Sequence, residues 1–271
     1  MQQEHSYRIK RRTVDIERIK QEQQAKAMRR TVFYVGLFLV LTVVFVAVCF
    51  LVFFKLETVK IEGSSRYSDE EILKVFGVES GENLYSFDVD ELEASLVKGL
   101  PYLSKVEIER DLPSTVIIRV SEKQPDMFVE IEGDRYLLTD NMQILEYTSD
   151  PSKLYGLLRL DMKPETVARC IVGEKLLFSD IRTGDIISEA YGDITAAGIT
   201  NRIDYIDANN RFGIYVGIDG KYDIYMGDIE EFDTKLAFAI GILEKLSSVS
   251  GSAEQGTIDV SEINKGVFIP N

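Results

Sequence analysis

Histidine and cysteine are nearly absent from this 271-residue chain, which contains one His and two Cys. Catalytic Ser-His-Asp and Cys-His sites need an imidazole base, and structural zinc sites take Cys or His ligands. His5 lies near the N-terminus, Cys49 falls within a long apolar run, and Cys170 is the only cysteine after that run. No intrachain disulfide is therefore expected, and the residues after the run must be held together by an apolar core.

Two further kinds of site are poorly represented. The chain has no G-x-x-x-x-G-K-[ST] phosphate-binding loop, and the glycines at Gly217 and Gly220 fit a hairpin turn better than a phosphate cradle. Paired carboxylates for sugar hydrolysis are harder to exclude because the chain has 45 Asp and Glu residues. None of them stands in an apolar segment that would raise its pKa, so a glycosidase is the weaker interpretation.

The most prominent positive feature is an apolar run over residues 31–54. Its 24 residues carry no charge, and 18 of them are Leu, Val or Phe. As a helix the run would be about 36 Å long, which exceeds the roughly 30 Å hydrocarbon core of a bilayer. Three interpretations are possible: a buried core helix, a cleaved signal peptide and a membrane anchor.

The composition and the end of the run favour the anchor. A core helix of a soluble domain normally contains some polar residues over such a length. A signal peptide has an apolar region of about 7 to 15 residues followed by a small-x-small cleavage site. Here the run ends Val52-Phe53-Phe54-Lys55, which offers no such site. The sequence therefore predicts an uncleaved transmembrane helix.

The flanking charges predict the orientation of this helix. Residues 1–30 carry nine Lys and Arg against four Asp and Glu, and the rest of the chain carries 22 basic and 41 acidic residues. By the positive-inside rule, residues 1–30 form a cytoplasmic tail and the acidic C-terminal part is exported. The tail has few apolar residues and is expected to be solvated, with a cytoplasmic docking segment as the alternative. The acidic part disfavours binding to nucleic acids and anionic lipids.

The exported part begins with the pattern strand, helix, helix, strand, strand. Residues 57–62 alternate as a strand, and Ser68 with Glu71 fits the capping box of a first helix that ends at Gly77. Asp88 is expected to cap a second helix that ends near Gly99, although Asp88, Asp90 and Glu91 could also be interpreted as a metal or acid-base cluster. Two strands are predicted at residues 105–110 and 115–121, with a turn between them.

The remaining residues read mainly as β structure. Hairpins are predicted over residues 127–139 and 212–226, and residues 143–146 form a further strand. Over about a hundred residues from Met127 we expect no strong helix, although residues 163–178 could form one of moderate quality. A clear amphipathic helix is predicted over residues 230–246, followed by a flexible loop over 247–256. Two short strands, 257–260 and 267–269, end the chain.

The region with the pattern strand, helix, helix, strand, strand resembles a POTRA domain. The details of its sequence resemble the FtsQ/DivIB family of bacterial cell-division proteins. The resemblance is carried by Val59-x-Ile61-x-Gly63, Gly81-x-Asn83-Leu84, and Arg110-Asp-Leu-Pro-Ser-Thr115 leading to Glu122-Lys-Gln-Pro125. Lys123 and Ser64 depart from the family pattern, in which Arg and Asn are usual, without threatening the fold. About 70 residues match well. The resemblance is looser over the β region.

The predicted fold class is therefore α+β: a single N-terminal transmembrane helix, a β-α-α-β-β POTRA domain and a mixed, sheet-rich domain. The domain bounds are a cytoplasmic tail at 1–30, the transmembrane helix at 31–54, the POTRA domain at 55–125 and the β domain at 126–271. No cofactor, metal or catalytic residue is assigned. The protein is expected to be a single-pass membrane protein with its C-terminal domains outside the cytoplasm, located at the division septum.

The resemblance implies a noncatalytic divisome scaffold that binds FtsL-type and FtsB/DivIC-type single-pass proteins and links them to septal peptidoglycan synthesis. It also implies that a partner segment adds to the last strand of the β domain, by β-augmentation of an unpaired edge. A short strand at this position could equally be an ordinary sheet edge. The alternatives for the whole protein are a membrane-anchored cell-wall enzyme and a POTRA-type transport or assembly adaptor. The expected partner-binding residues are Thr257, Ile258, Asp259, Val260, Gly266, Val267, Phe268 and Ile269.

Overall fold

The structure is a computed structural model that describes residues 2–249, 255–263 and 265–270, with side chains described for 28–246, 255–263 and 265–270. Its contacts divide the chain into two compact units. The first contains the residues up to Lys60 together with Val78–Phe87 and Arg110–Val116. The second contains Ile61–Gly77, Asp88–Glu109 and the chain from Ile117 onward.

The first unit is dominated by one long helix, α1, over Gln2–Phe53. Its part Met28–Phe53 is long and apolar enough to cross a membrane, and none of it is buried within the protein. The predicted span of residues 31–54 thus corresponds to a segment displaced by one to three residues at its ends. The backbone of the predicted solvated tail is helical from Gln2 and continuous with the apolar segment.

The helices and strands of the POTRA domain occur in the order that the sequence predicts, so this prediction is confirmed. Strands β1 (Thr58–Glu62), β2 (Leu103–Asp111) and β3 (Thr115–Glu122) form a three-stranded sheet in the order β1-β3-β2. Helices α2 (Asp69–Phe76) and α3 (Val89–Gly99) lie between β1 and β2 along the chain.

Both helices begin with the caps that the sequence predicts. At α2 the Glu71 amide donates to Ser68 Oγ at 3.3 Å, and the Ser68 amide donates to the Glu71 carboxylate at 2.9 Å. At α3 the Asp88 carboxylate accepts from the amides of Asp90 and Glu91 at 2.9 and 3.2 Å. A carboxylate that satisfies the free amides of a first turn is a structural cap, so the acidic group at 88–91 has the role that the sequence favoured.

The rest of the second unit is built on a nine-stranded sheet. The strand order is β14-β13-β12-β11-β10-β7-β4-β5-β6, and β8 (Val167–Arg169) and β9 (Leu177–Phe178) form a separate two-stranded sheet. The pairs β4–β7, β7–β10 and β12–β13 are parallel, and the others are antiparallel. The nine strands are β4 (Met127–Ile131), β5 (Asp134–Leu138), β6 (Ile144–Thr148), β7 (Leu158–Leu160), β10 (Ile203–Asp207), β11 (Ile214–Ile218), β12 (Tyr222–Gly227), β13 (Gly256–Asp259) and β14 (Val267–Pro270).

Two helices, α4 (Thr183–Ala196) and α5 (Phe232–Val249), pack against this sheet and share its core. Alternate residues of the strands point into the core, such as Val216 on β11 and Ile224 on β12. The helices contribute the buried side chains Ile186, Ile187, Ala190, Ile194, Phe232, Leu236, Ala239 and Leu243. The predicted amphipathic helix over 230–246 is thus present and faces the sheet as expected.

Two helix predictions for the β region were wrong. Residues 163–178 form no α-helix: a 3-10 turn at Pro164–Thr166 leads into β8, and the chain returns through β9. Gly173 has a φ of 90° in between, a conformation that no α-helix contains. The region expected to lack strong helices instead contains the whole of α4. The predicted loop over 247–256 begins within the end of α5, and its residues 250–254 lie outside the described residues.

Candidate partner-binding site

The predicted site residues lie on the last two strands of the large sheet, at one of its edges. Strand β14 pairs antiparallel with β13, so that Thr257 faces Ile269, Ile258 faces Phe268 and Asp259 faces Val267. Val260 follows β13 directly and Gly266 precedes β14. The structure thus brings together all eight predicted residues, six of them as three cross-strand pairs.

One side of this strand pair belongs to the core. Ile258 and Val260 are buried, and the Phe268 ring meets the Tyr222 ring edge-on with centroids 6.2 Å apart. Gly256 is needed at the start of β13, because a Cβ there would collide with the Ile269 carbonyl and lie 2.6 Å from the Phe268 ring. Phe268 therefore anchors β14 to the domain, and it is not free to contact a partner with its full side chain.

The other side of β14 faces outward. Val267 is 58% exposed and Ile269 is 51% exposed, although both are aliphatic. Among the described residues, no strand pairs with the outer edge of β14, which is the last strand in the sheet order. Such an edge presents backbone N–H and C=O groups to any extended peptide that approaches it. The arrangement can therefore accept a further strand, with two apolar side chains beside it.

Helix α5 supports the approach to β14. A Cβ on Gly266 would lie 3.0 Å from the Phe238 ring and collide with the Ile242 side chain. Gly266 thus lets the chain pass close to α5 before it enters β14. The sequence predicts an amphipathic helix here, and its apolar stripe indicates the core residues of α5. Phe238 and Ile242 lie beside that stripe, so their contact with the C-terminal segment could not be read from it.

The open face of the sheet continues from β14 into a group of polar and aromatic side chains. Asp259 is paired with Tyr225 on β12, and the Tyr225 ring lies against Tyr215 with centroids 4.8 Å apart. No sequence motif marks these two tyrosines. The alternation of the strands over 214–226 contains the only signal for them, since every second residue there faces away from the core.

Charges near the site hold the chain in place. The Asp259 carboxylate accepts from the Ser261 amide at 2.9 Å and from the Ser261 hydroxyl at 2.7 Å, which fixes the exit from β13. At the start of α5 the buried Lys235 donates to the Asp228 carboxylate at 2.9 Å, and this hydrogen bond lowers the Asp228 pKa.

Among the described residues, no group of three or more His, Cys, Asp or Glu side chains could hold a metal ion.

The fold and this site define a class of protein: a single-pass membrane protein with a POTRA domain and a β-rich domain, in which no described strand pairs with the outer edge of β14. Residues 54–123 match the family model described as "POTRA domain, FtsQ-type". These bounds differ by one or two residues from the POTRA domain predicted from the sequence. The match covers the residues that carried the resemblance from Val59 to Lys123, and Gln124 and Pro125 follow it directly.

Curated relatives extend the similarity beyond that domain. The chain is 24% identical over 213 residues to cell division protein FtsQ of Corynebacterium glutamicum, an alignment that covers 78% of this chain and 89% of the relative. It is 27% identical over 229 residues to cell division protein DivIB of Clostridium tetani, with 80% of each chain covered. The DivIB of Clostridium botulinum is 23% identical, with 93% and 95% covered. The predicted resemblance to the cell division proteins FtsQ and DivIB is thereby confirmed.

A solved structure is also similar. It contains the major extracytoplasmic domain of the cell division protein DivIB from Geobacillus stearothermophilus. The sequences are 19% identical, the match covers 48% of this chain and 98% of that chain, and the TM-score is 0.29.

Proposed function

We propose that this protein is a noncatalytic scaffold of the division machinery that captures a partner segment at the β14 edge. The partners are FtsL-type and FtsB/DivIC-type single-pass proteins, and through them the scaffold is linked to septal peptidoglycan synthesis. Residues 1–30 lie in the cytoplasm, and the chain from Lys55 onward lies outside it at the septum.

The observation that carries this proposal is the free edge of β14. An extended peptide added there would hydrogen-bond to the backbone of residues 267–270, which supplies affinity without requiring a particular sequence. Val267 and Ile269 would supply selectivity, since a partner strand places every second side chain on their side of the sheet. Phe268 would contribute indirectly, by holding β14 in position against Tyr222.

The charge distribution supports a protein partner over a polyanion. The chain carries 45 acidic and 31 basic residues, and 41 of the acidic residues follow the transmembrane segment. Nucleic acids and anionic polymers bind through clustered Lys and Arg. Strand β14 itself contains only apolar residues, which suits a partner strand with an apolar face.

The decisive experiment compares one charged substitution at the edge with the same kind of substitution elsewhere. Val267→Asp, in the full-length protein, should reduce co-purification of the FtsB/DivIC-type partner at least about tenfold, because a carboxylate would be placed at an apolar contact. Ile181→Asp is the matched control, since Ile181 is 90% exposed and lies before α4, outside the edge. It should leave capture unchanged.

Both variants are expected to melt within a few degrees of the unmodified protein, because exposed substitutions change stability little. Equal capture by Val267→Asp and Ile181→Asp would contradict the assignment of the site. A fluorescent fusion tests the wider role, since a division scaffold should concentrate at midcell. An even distribution around the cell envelope during septation would contradict that role.

A further inference from the structure

The last turn of α1 is capped by side-chain and backbone groups from a distant part of the sequence. Every α-helix leaves its last carbonyls without intrahelical partners, and inside a bilayer no water is available to replace them. The Phe50 carbonyl accepts from Asn83 Nδ2 at 2.9 Å, and the Phe54 carbonyl accepts from the Leu84 amide at 2.8 Å. Asn83 and Leu84 thus satisfy two acceptors at the C-terminal end of the apolar helix.

Further backbone hydrogen bonds hold this segment alongside the helix end. The Leu56 amide donates to the Glu82 carbonyl at 2.7 Å, and the Gly81 amide donates to the Leu56 carbonyl at 2.8 Å. Lys55 and Asn83 form an antiparallel bridge. Residues 81–84 therefore run directly beside residues 54–56 and cannot lie at a very different depth from them.

Three aromatic rings meet at the same place. The Tyr85 ring centroid lies 4.9 Å from that of Phe50 and 5.9 Å from that of Phe54, and the two phenylalanine rings are 4.8 Å apart. Tyr85 nevertheless remains 47% exposed in the isolated protein. Tyrosine is enriched where a membrane protein passes through the headgroup region, because its ring is apolar and its hydroxyl is polar.

Arg110 completes the cluster. Its guanidinium donates to the Leu84 carbonyl at 2.6 Å and to the Phe87 carbonyl at 2.9 Å, and it lies 5.2 Å from the centroid of the Tyr85 ring. A cation held beside an interfacial tyrosine suits the zone of lipid phosphates and carbonyls. It also fixes the shape of the segment, because one side chain binds two of its carbonyls.

We infer that Val78–Phe87 is a membrane-contact segment, which lies in the lipid headgroup zone at the end of α1. The inference rests on the single membrane pass and not on the proposed partners. The 26 residues of Met28–Phe53 are about 39 Å long as a helix, longer than the roughly 30 Å hydrocarbon core. The end of α1 therefore lies in the interfacial zone, and the hydrogen bonds place Tyr85 there with it.

The chain contains no tryptophan, so one introduced tryptophan reports a single position. We would prepare full-length Tyr85→Trp, Phe54→Trp and Tyr155→Trp in phosphatidylcholine vesicles whose acyl chains are brominated either near the headgroup or near the chain end. Phe54→Trp marks the end of the span. Tyr155→Trp supplies the emission of an exposed residue, since Tyr155 is 95% exposed. Because the vesicles contain only lipid, the bilayer is the only partner present that could cover residue 85.

We expect the tryptophan at position 85 to emit at shorter wavelength than that at 155, and to be quenched roughly threefold more, most strongly by the shallow bromines. Quenching at 54 without quenching at 85 would overturn the inference while leaving the span intact. Quenching at 85 that is strongest for the deep bromines would overturn the interfacial assignment.

A second measurement needs no substitution and remains valid if Tyr85→Trp fails to fold. Hydroxyl-radical footprinting of the unmodified protein in the same vesicles compares oxidation of Tyr85 with that of Tyr155. Tyr85 is 47% exposed and Tyr155 is 95% exposed in the isolated protein. If this exposure alone set the rates, Tyr85 would be oxidised about half as fast as Tyr155. Contact with lipid should lower oxidation of Tyr85 severalfold below that ratio, and a ratio of one to two would overturn the inference.

Discussion

The two edges of the nine-stranded sheet are treated in opposite ways. At one edge, β6 is covered: Leu145 is 2% exposed, the Ile144 amide donates to the Glu174 carbonyl at 2.9 Å, and the Gly173 amide donates to the Ile144 carbonyl at 2.8 Å. At the other edge, β14 has two outward aliphatic side chains that are more than half exposed. Only at β6 do described residues outside the sheet hydrogen-bond to the edge backbone.

Side chains reinforce the cover at β6. The Glu146 carboxylate lies 2.7 Å from Lys153 Nζ and 3.6 Å from the Arg66 guanidinium. Strand β14 contains only Val, Phe, Ile and Pro, so it has no charged residue that would discourage another strand. Proteins usually protect sheet edges with loops, charges or proline. Here β6 is covered at Ile144 and flanked by charges, while among the described residues β14 has only the proline at its end, which suits a docking edge.

The largest expected contrast between the edges is in stability. Leu145→Ala should destabilise the protein by about 2 to 5 kcal/mol, because it leaves a cavity at a fully buried position. Val267→Ala should cost at most about 0.5 kcal/mol, because Val267 is mostly solvated. The difference is measured by thermal melting of the detergent-solubilised full chain, followed by tyrosine fluorescence. Similar losses for the two variants would show that β14 is packed as firmly as β6.

A smaller effect is expected where β14 meets β13. Gly256→Ala introduces a Cβ against the Ile269 carbonyl and the Phe268 ring. Overpacking of this kind costs about 1 to 3 kcal/mol, and β14 can relieve it by separating from β13. We therefore expect faster proteolysis of the C-terminal residues and weaker partner capture. Gly241→Ala is the matched control, since a Cβ on Gly241 has no neighbour within 4 Å, and unchanged proteolysis of Gly256→Ala would contradict the tight fit.

Much of this architecture could be predicted because local signals agreed with the fold. The caps at Ser68 and Asp88 fixed the starts of α2 and α3, and alternating apolar residues fixed the strands of the POTRA domain and the hairpin of β11 and β12. The resemblance pointed to the last strand, which lies at an edge of the sheet, and partner binding there stays a prediction. The two faces of β14 could not be predicted: Phe268 was expected to contact a partner, whereas its ring packs against Tyr222.

The missed helix shows why the rest could not be predicted. Helix α4 contains Gly184 and Gly192, and the side chain of its N-cap residue, Arg182, makes no capping hydrogen bond. Its intrinsic propensity is therefore weak. It is stabilised by burying Ile186, Ile187 and neighbouring apolar residues against the sheet. That contribution depends on strands far away in the sequence, so a local pattern could not reveal it.

The covered edge should also respond to alkaline pH. Burial raises the pKa of Tyr102 to about 12 despite the hydrogen bond from Arg66, the same arginine that lies beside Glu146. The ordinary pKa of tyrosine is about 10, so above pH 10 the unfolded chain ionises Tyr102 before the folded one does. The contribution of this pKa difference to the free energy of unfolding is complete below pH 10 and is lost as pH rises towards 12. At pH 11 the loss is about 1.4 kcal/mol.

Tyr102→Phe should remove this part of the pH dependence, so that the melting temperature falls less between pH 9 and pH 11 than it does for the unmodified protein. Tyr155→Phe is the matched control, because it removes the same hydroxyl from a side chain that is 95% exposed. Strand β14 has no ionisable side chain, so Val267→Ala should leave the pH dependence unchanged. A slope that Tyr102→Phe does not reduce would assign the alkaline loss to other groups.

The smallest expected effect concerns the ion pairs near the two edges. Lys153→Gln removes a pair in which the Lys153 and Glu146 side chains are 43% and 22% exposed, and Lys265→Gln removes one in which Lys265 and Glu262 are 74% and 70% exposed. The first should cost roughly 0.2 to 1 kcal/mol at low salt and the second nothing measurable, because pairing weakens with solvation. The cost of Lys153→Gln should shrink at about 1 M salt, where charges are screened over about 3 Å. If Lys265→Gln were the more destabilising variant, the segment leading into β14 would be held by charge, and the edge would be more rigid than its exposure indicates.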